Sequence, residues 1–200
     1  MTTDHSPTPP RWAESLLRMF LAPADRDSVS GDLLEEYRDS IVPDRGAGAN
    51  RWYVRQIASY VLRATGPWAA LVGAILVGRY LLDTLAPVQY TSGVAHPRST
   101  IMSWALIITY AAGGGWQAWR TGQLRSGIVA AFLAAALGGA LSSFGTILCL
   151  AVWHDPQTWR AIQGSGGIEE ALYGVPLMLV PIGSIVGTVG AAAGRLASAI

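Results

Sequence analysis

Four apolar runs constrain this chain more than any other feature. They cover roughly 67–86, 101–119, 127–153 and 171–196. Each reaches the ~20 residues a helix needs to cross about 30 Å of hydrocarbon. Transmembrane strands need short alternating segments, and these runs do not alternate. Four membrane-spanning helices are therefore expected, in an all-α chain. Composition agrees. Of 200 residues, 51% are hydrophobic and only 14% charged, with a mean hydropathy of +0.34. A soluble domain usually carries about 25% charged residues.

Charge divides the chain in two. Acidic residues crowd residues 4–44, and beyond them stand only Asp83, Asp155, Glu169 and Glu170. A polar head thus precedes an apolar body. The expected division is a disordered tail over 1–10, a small helical domain over 11–65, and a four-span domain over 66–200. The net charge of +1 gives no case for nucleic acid. All fourteen basic residues are Arg, which reads as codon bias. The single Cys149 provides neither a disulfide framework nor a Cys-based metal site. The opening "MTTDHSPTPPR" lacks the pattern of a secretory signal. The head is expected to stay in the cytoplasm, with the first span as an uncleaved anchor.

Arginine placement orients the spans. Arg51, Arg55 and Arg63 precede the first, Arg120 and Arg125 lie in the second connection, and Arg195 ends the last. The other two connections hold only Arg98 and Arg160. By the positive-inside rule both termini are cytoplasmic. Trp68, Trp104, Trp116, Trp119, Trp153 and Trp159 fall near span ends, as an aromatic belt requires. Glycines are frequent in the spans, notably the pairs Gly183/Gly187 and Gly190/Gly194. Inside lipid, helices associate by close backbone approach. These pairs pack either within the four-helix bundle or across a homo-oligomer contact.

The head reads as three short amphipathic helices. The first carries Trp12, Leu16, Met19 and Phe20 and ends at Pro23. The second runs from 24 to about 42 with Val29, Leu33, Tyr37 and Ile41 on one stripe. A loop follows over 43–50. Asn50 is a candidate cap for the third helix, whose expected stripe is Trp52 or Tyr53, Gln56, Tyr60 and Arg63, with Ile57 and Val61 beside it. About 55 residues are marginal for independent folding, so the head should lean on the membrane or a partner. Gly31 sits inside the second helix, where it costs about 1 kcal/mol relative to Ala. Either another backbone packs closely there, or the helix restarts at Asp32, where Asp32 to Glu35 fits a capping box. A continuous helix with a close contact is the favoured expectation.

Candidate chemistry is sparse. Arg79 and Asp83 stand one helical turn apart in the first span. Intramembrane charges often mark an ion path. The alternative is a structural pair that snorkels to the interface. His96, His154, Asp155, Glu169 and Glu170 have no zinc-ligand spacing, and a solvated loop is the better reading. The glycine-rich stretches 46–50 and 164–167 lack the ending of a phosphate-binding loop. Ser142, Ser143 and Cys149 have no His or carboxylate nearby in sequence to activate them. No enzyme, metal or cofactor is expected.

The acidic helix carries the strongest signal. Asp25, Asp27, Asp32, Glu35, Glu36, Asp39 and Asp44 stand against only Arg26 and Arg38. The simplest expectation is that these acids face Arg51, Arg55 and Arg63, which also meet anionic lipid headgroups. The acids left over could dock an Arg/Lys-rich protein. The candidate docking residues are Asp32, Glu35, Glu36, Tyr37 and Arg55.

The segment "LLRMFLAPADRDSVSGDLLEEYRDS", followed by "RWYVRQIASYVLR", resembles the permease prefix domain. That cytoplasmic domain precedes the spans of ABC-type permeases akin to macrolide exporters, abundant in Acidobacteria. The matching positions are Asp25-Arg26, Gly31-Asp32-Leu33, Glu35-Glu36-Tyr37, Trp52-Tyr53 and Gln56, within about 11–65. Those permeases continue into a long periplasmic domain, whereas this chain continues into four compact spans. The resemblance implies membership of a prefix-bearing membrane family; it does not imply that this chain is itself a transporter. The favoured function is an accessory or regulatory subunit whose head docks a partner: an ABC permease or ATPase, or a PadR-type regulator. The alternative is a small oligomeric transporter or channel using Arg79 and Asp83.

Overall fold

The first amphipathic stretch folds as α1, Arg11–Phe20. A 3-10 turn at Pro23–Asp25 reverses the chain into α2, Arg26–Glu36, and one π-helical turn extends it over Tyr37–Ile41. In this computed structural model the described residues are 8–41, 43, 48–86, 97–153 and 169–199. Residues 1–7, residues 44–47 of the expected 43–50 loop, His96, His154, Asp155 and the 164–167 stretch lie outside them, as do the side chains of Asp83, Cys149 and Glu170. Among the described residues every regular element is helical.

α1 and α2 lie antiparallel. Ser30 Oγ donates to Glu14 Oε1 (3.4 Å), and Arg18 Nη1 stands 3.9 Å from Asp27 Oδ1. α2 therefore covers the flank of α1 that bears Glu14 and Arg18. Burial then falls on Ala13, Leu17 and Phe20, while Trp12 stays 60% exposed. Of the expected stripe Phe20 is buried as foreseen and Leu16 and Met19 pack only partly, while Ala13 and Leu17 take the place expected for Trp12 and Leu16. On α2 the expectation holds for Leu33, Tyr37 and Ile41, with Val29 partly buried against them. Helix α2 is continuous through Gly31, as favoured, but the close contact is absent: a Cβ there would meet nothing within 4 Å. Asp32 lies inside the helix and is not a cap.

The third helix of the head and the first span are one element, α3, Ala49–Leu85. It passes through Pro67, although proline removes a backbone donor. Packing on both sides of that point, with Thr65, Ala69 and Val72 buried, keeps the helix going. The backbone shows no break near residue 65, where a boundary was expected. Gly48 stands at the N-cap, not Asn50. Asn50 Oδ1 instead accepts a 2.7 Å hydrogen bond from the Tyr37 hydroxyl. The buried stripe of α3 in the head is Ala49, Tyr53, Ile57 and Val61, so Trp52, Gln56 and Tyr60 lie on its flank.

Among the described residues three more helices follow: α4, Pro97–Thr121; α5, Leu124–Trp153; and α6, Val175–Ala197, entered through a π-helical turn at Glu170–Gly174. α3 and α5 run parallel, with Gly138 against Ala69 and Val72 and Gly145 against Val77. α4 and α6 form a second parallel pair. A Cβ at Gly190 would fall on the Ala111 carbonyl, and one at Gly194 on the Gly115 carbonyl. Only glycine permits that approach of two backbones. The two glycine pairs of α6 are therefore used inside this chain. Val72, Leu76, Tyr110, Ala135 and Leu179 form the core between the four helices.

Among the described residues three segments are long and apolar enough to cross a membrane: Ala49–Leu82, Leu124–Leu148 and Leu172–Ala197. The run expected at 101–119 is helical but less apolar. It carries Thr109, glycines 113–115 and Gln117, all on a helix that packs against α3, α5 and α6. The polar and glycine positions Thr109, Gly113, Gly114 and Gln117 are buried against those neighbours, so the lower hydropathy lies on the inward face.

Candidate docking face and the joint beneath it

α2 presents its acids outward. Asp32, Glu35, Glu36 and Asp39 are exposed, and so is Arg55 on α3. The expected pairing of these acids with Arg51, Arg55 and Arg63 does not form among the described residues. The ion pairs there join Arg18 to Glu14 (3.2 Å) and to Asp27. The reason is packing. α2 meets α3 through Leu33, Tyr37 and Ile41, with the Tyr37 and Tyr53 rings edge to face at 5.5 Å. That turns the polar sides of both helices away from each other.

Tyr37 differs from its acidic neighbours. It is only 3% exposed, and its hydroxyl is spent on Asn50. It holds α2 to the start of α3 and offers no surface. Asp32, Glu35, Glu36 and Arg55 are left as the outward part of the candidate set. Arg79 is half-buried in α3, and Asp83 follows one turn later on the same helix. Among the described residues no group of His, Cys, Asp and Glu could hold a metal ion.

Beneath the acidic helix lies a polar joint that sequence reasoning missed. Arg26, the first residue of α2, donates through Nη2 to the Thr121 carbonyl (2.8 Å) and through Nε to the Leu21 carbonyl (3.3 Å). Thr121 ends α4 and Leu21 caps α1. One guanidinium thus serves two helix C-termini, whose last carbonyls have no partner within their own helix. It also sits at the negative end of both helix dipoles. With the Gln123 amide oxygen turned toward it, Arg26 donates there as well, at 2.9 and 3.2 Å.

Gln117 completes the joint from the other side. Its Nε2 donates to the Phe20 carbonyl (3.3 Å), the residue before Leu21. Its own carbonyl accepts from Thr121 Oγ1 (2.8 Å), and Thr121 Oγ1 also pairs with Ser126 Oγ. Gln117, Thr121 and Ser126 are all at most 1% exposed. A buried polar atom without a partner costs about 1–3 kcal/mol, so each of these bonds is needed. Ala130 of α5 belongs to the same buried cluster as the head's own apolar residues. The core of the head therefore extends onto α5, apart from the Val72, Leu76, Tyr110, Ala135 and Leu179 core between the four helices. Two signals pointed here: a glutamine inside an apolar run, and Arg26 within the Asp25-Arg26 pair. At the opposite end of α3, Arg98 Nη1 caps in the same manner, bonding the Leu82 and Ala86 carbonyls at 3.2 and 3.0 Å.

Comparison with known protein families, with curated proteins and with solved structures finds no match.

Proposed function

We propose that this chain is a four-span protein of the bacterial inner membrane with both ends in the cytoplasm. Its head is a permease-prefix-like domain that docks a partner, and its role is accessory or regulatory, linked to an ABC-type transport system. One observation carries the docking reading. Asp32, Glu35 and Glu36 are exposed and, among the described residues, make no ion pair with the arginines of α3. A row of acids not consumed inside the molecule is complementary to an Arg/Lys-rich protein surface. The link to ABC-type transport comes from the resemblance of residues 11–65 to the prefix domain.

The outward face of α4 supports its assignment as the fourth span. Ile101, Trp104, Ile108, Ala112, Trp116 and Trp119 are exposed at helical spacing, a stripe with no polar side chain. Trp116 and Trp119 lie near the end that bears Arg120, as interface anchors do. Arg63, Arg120, Arg125 and Arg195 are exposed toward the head side, which supports a cytoplasmic head.

The docking reading is tested by reversing charge with Glu35→Lys and Glu36→Lys together. Pull-downs from native membranes should lose the co-purifying partner, while helicity and gel-filtration behaviour stay unchanged. A partner retained at the same level by the folded double variant would end this reading.

A further inference from the structure

We infer that Arg26 is a mechanical joint that makes the position of the acidic helix α2 and the position of the α4–α5 turn a single variable. The inference requires only the geometry and no docking partner. Arg26 stands at the foot of α2, and its guanidinium reaches the last carbonyl of α4 and the Gln123 side chain in the turn. The same group holds the carbonyl that closes α1. Gln117 ties the neighbouring Phe20 carbonyl to α4. The joint therefore gathers α1, α2, α4 and the α4–α5 turn at one point.

The chemistry of the joint makes it two-way. The guanidinium is a rigid planar fork, so its donors cannot follow one acceptor without leaving another. Tilting α2 must pull on the Thr121 carbonyl, and moving Thr121 must pull on α2. Thr121 also holds Ser126 in α5 through its hydroxyl, so the displacement reaches the start of that helix. Coupling between two positions is reciprocal in free energy. A disturbance at the turn must then be legible in α2, and Arg26 is the direct link, since Gln117 reaches α1 and not α2. If the acids of α2 do dock a partner, this is the route by which the body registers it.

Gly122 provides the disturbance. It lies in the turn at φ 66, a conformation that L side chains rarely adopt, and a Cβ there would touch nothing. Gly122→Ala therefore strains the turn without a clash. Hydrogen–deuterium exchange is measured on the full chain in nanodiscs for the parent, Gly122→Ala, Arg26→Ala and the double variant. With Arg26 present, Gly122→Ala should speed exchange across residues 27–36 about tenfold, because local opening follows the lost bonds. In the Arg26→Ala background, adding Gly122→Ala should change α2 no further. Arg26→Lys should restore only part of the response, since an ammonium cannot span the same acceptors. Residues 183–194, in the α4–α6 contact, serve as the folding control and should stay protected in all variants. The joint is overturned if α2 exchanges at the parent rate in Gly122→Ala. It is equally overturned if α2 responds the same with and without Arg26, or if residues 183–194 open in parallel. None of these readouts involves a partner, so loss of the docking reading would leave the result standing.

Discussion

Two tyrosine hydroxyls, those of Tyr53 and Tyr110, are buried with no hydrogen-bond partner among the described residues. A buried hydroxyl left unpaired costs about 1–3 kcal/mol, and removing it cleanly removes that cost. Tyr53→Phe and Tyr110→Phe should therefore leave the unfolding midpoint unchanged or raise it. Tyr37→Phe should behave in the opposite way, because its 2.7 Å bond to Asn50 is worth about 1 kcal/mol. Thermal melts of the three variants in one detergent check the contrast. A midpoint that falls in Tyr110→Phe would show that its hydroxyl is bonded after all. At this scale the sequence was a partial guide. The Leu33, Tyr37 and Ile41 stripe was legible because a spacing of four residues keeps side chains on one helix face. Ala13 was not legible as core, because hydropathy favours the larger Trp12 and says nothing of how closely two helices approach.

Among the elements, the glycines separate into those that are packed and those that are not. Gly31 sits in the interior of α2 with open space around it. Gly31→Ala should stabilise the protein by about 0.5–1 kcal/mol through helix propensity alone. Gly190 lies against the backbone of Ala111. Gly190→Leu should separate α4 from α6 and destabilise by at least about 1–3 kcal/mol, the usual cost of overpacking. Chemical denaturation of both variants, followed by circular dichroism, should give shifts of opposite sign. The sequence showed that small residues were enriched in α6, since that pattern is visible in one dimension. It did not show which helix they met. The choice of α4 over a second copy depends on which faces the bundle brings together. The polar joint was hidden for the same reason. Gln117 is unusual in an apolar run, but its partner Phe20 offers a backbone carbonyl, and backbone acceptors leave no mark in a sequence.

For the whole molecule, head and body are not separable. The buried cluster of the head includes Ala130, with Val129 and Leu133 packed against it, and the C-terminal carbonyls of α1 depend on Arg26 and Gln117. A fragment of residues 1–65 would expose that apolar surface and strand the Phe20 carbonyl. It should show much less helix by circular dichroism than residues 11–65 contribute in the intact protein. A fragment that melts cooperatively with full helicity would refute this. The two-part composition of the chain was plain from its charge distribution. The continuity of α3 was not, because one proline in an otherwise helical pattern is ambiguous.

The seam between α4 and α6 also dictates an order of events during synthesis. The two helices are parallel and in backbone contact, yet all of α5 lies between them in the chain. With α4 spanning the membrane as proposed, the edge at Gly114 and Gly115 lacks the Gly187 and Gly190 backbone that covers it until α6 is made. Lipid or another nascent chain can occupy it during that interval. A chain stalled after α5 would therefore present an unclosed bundle, which quality-control proteases that read exposed intramembrane surfaces can distinguish from the finished protein.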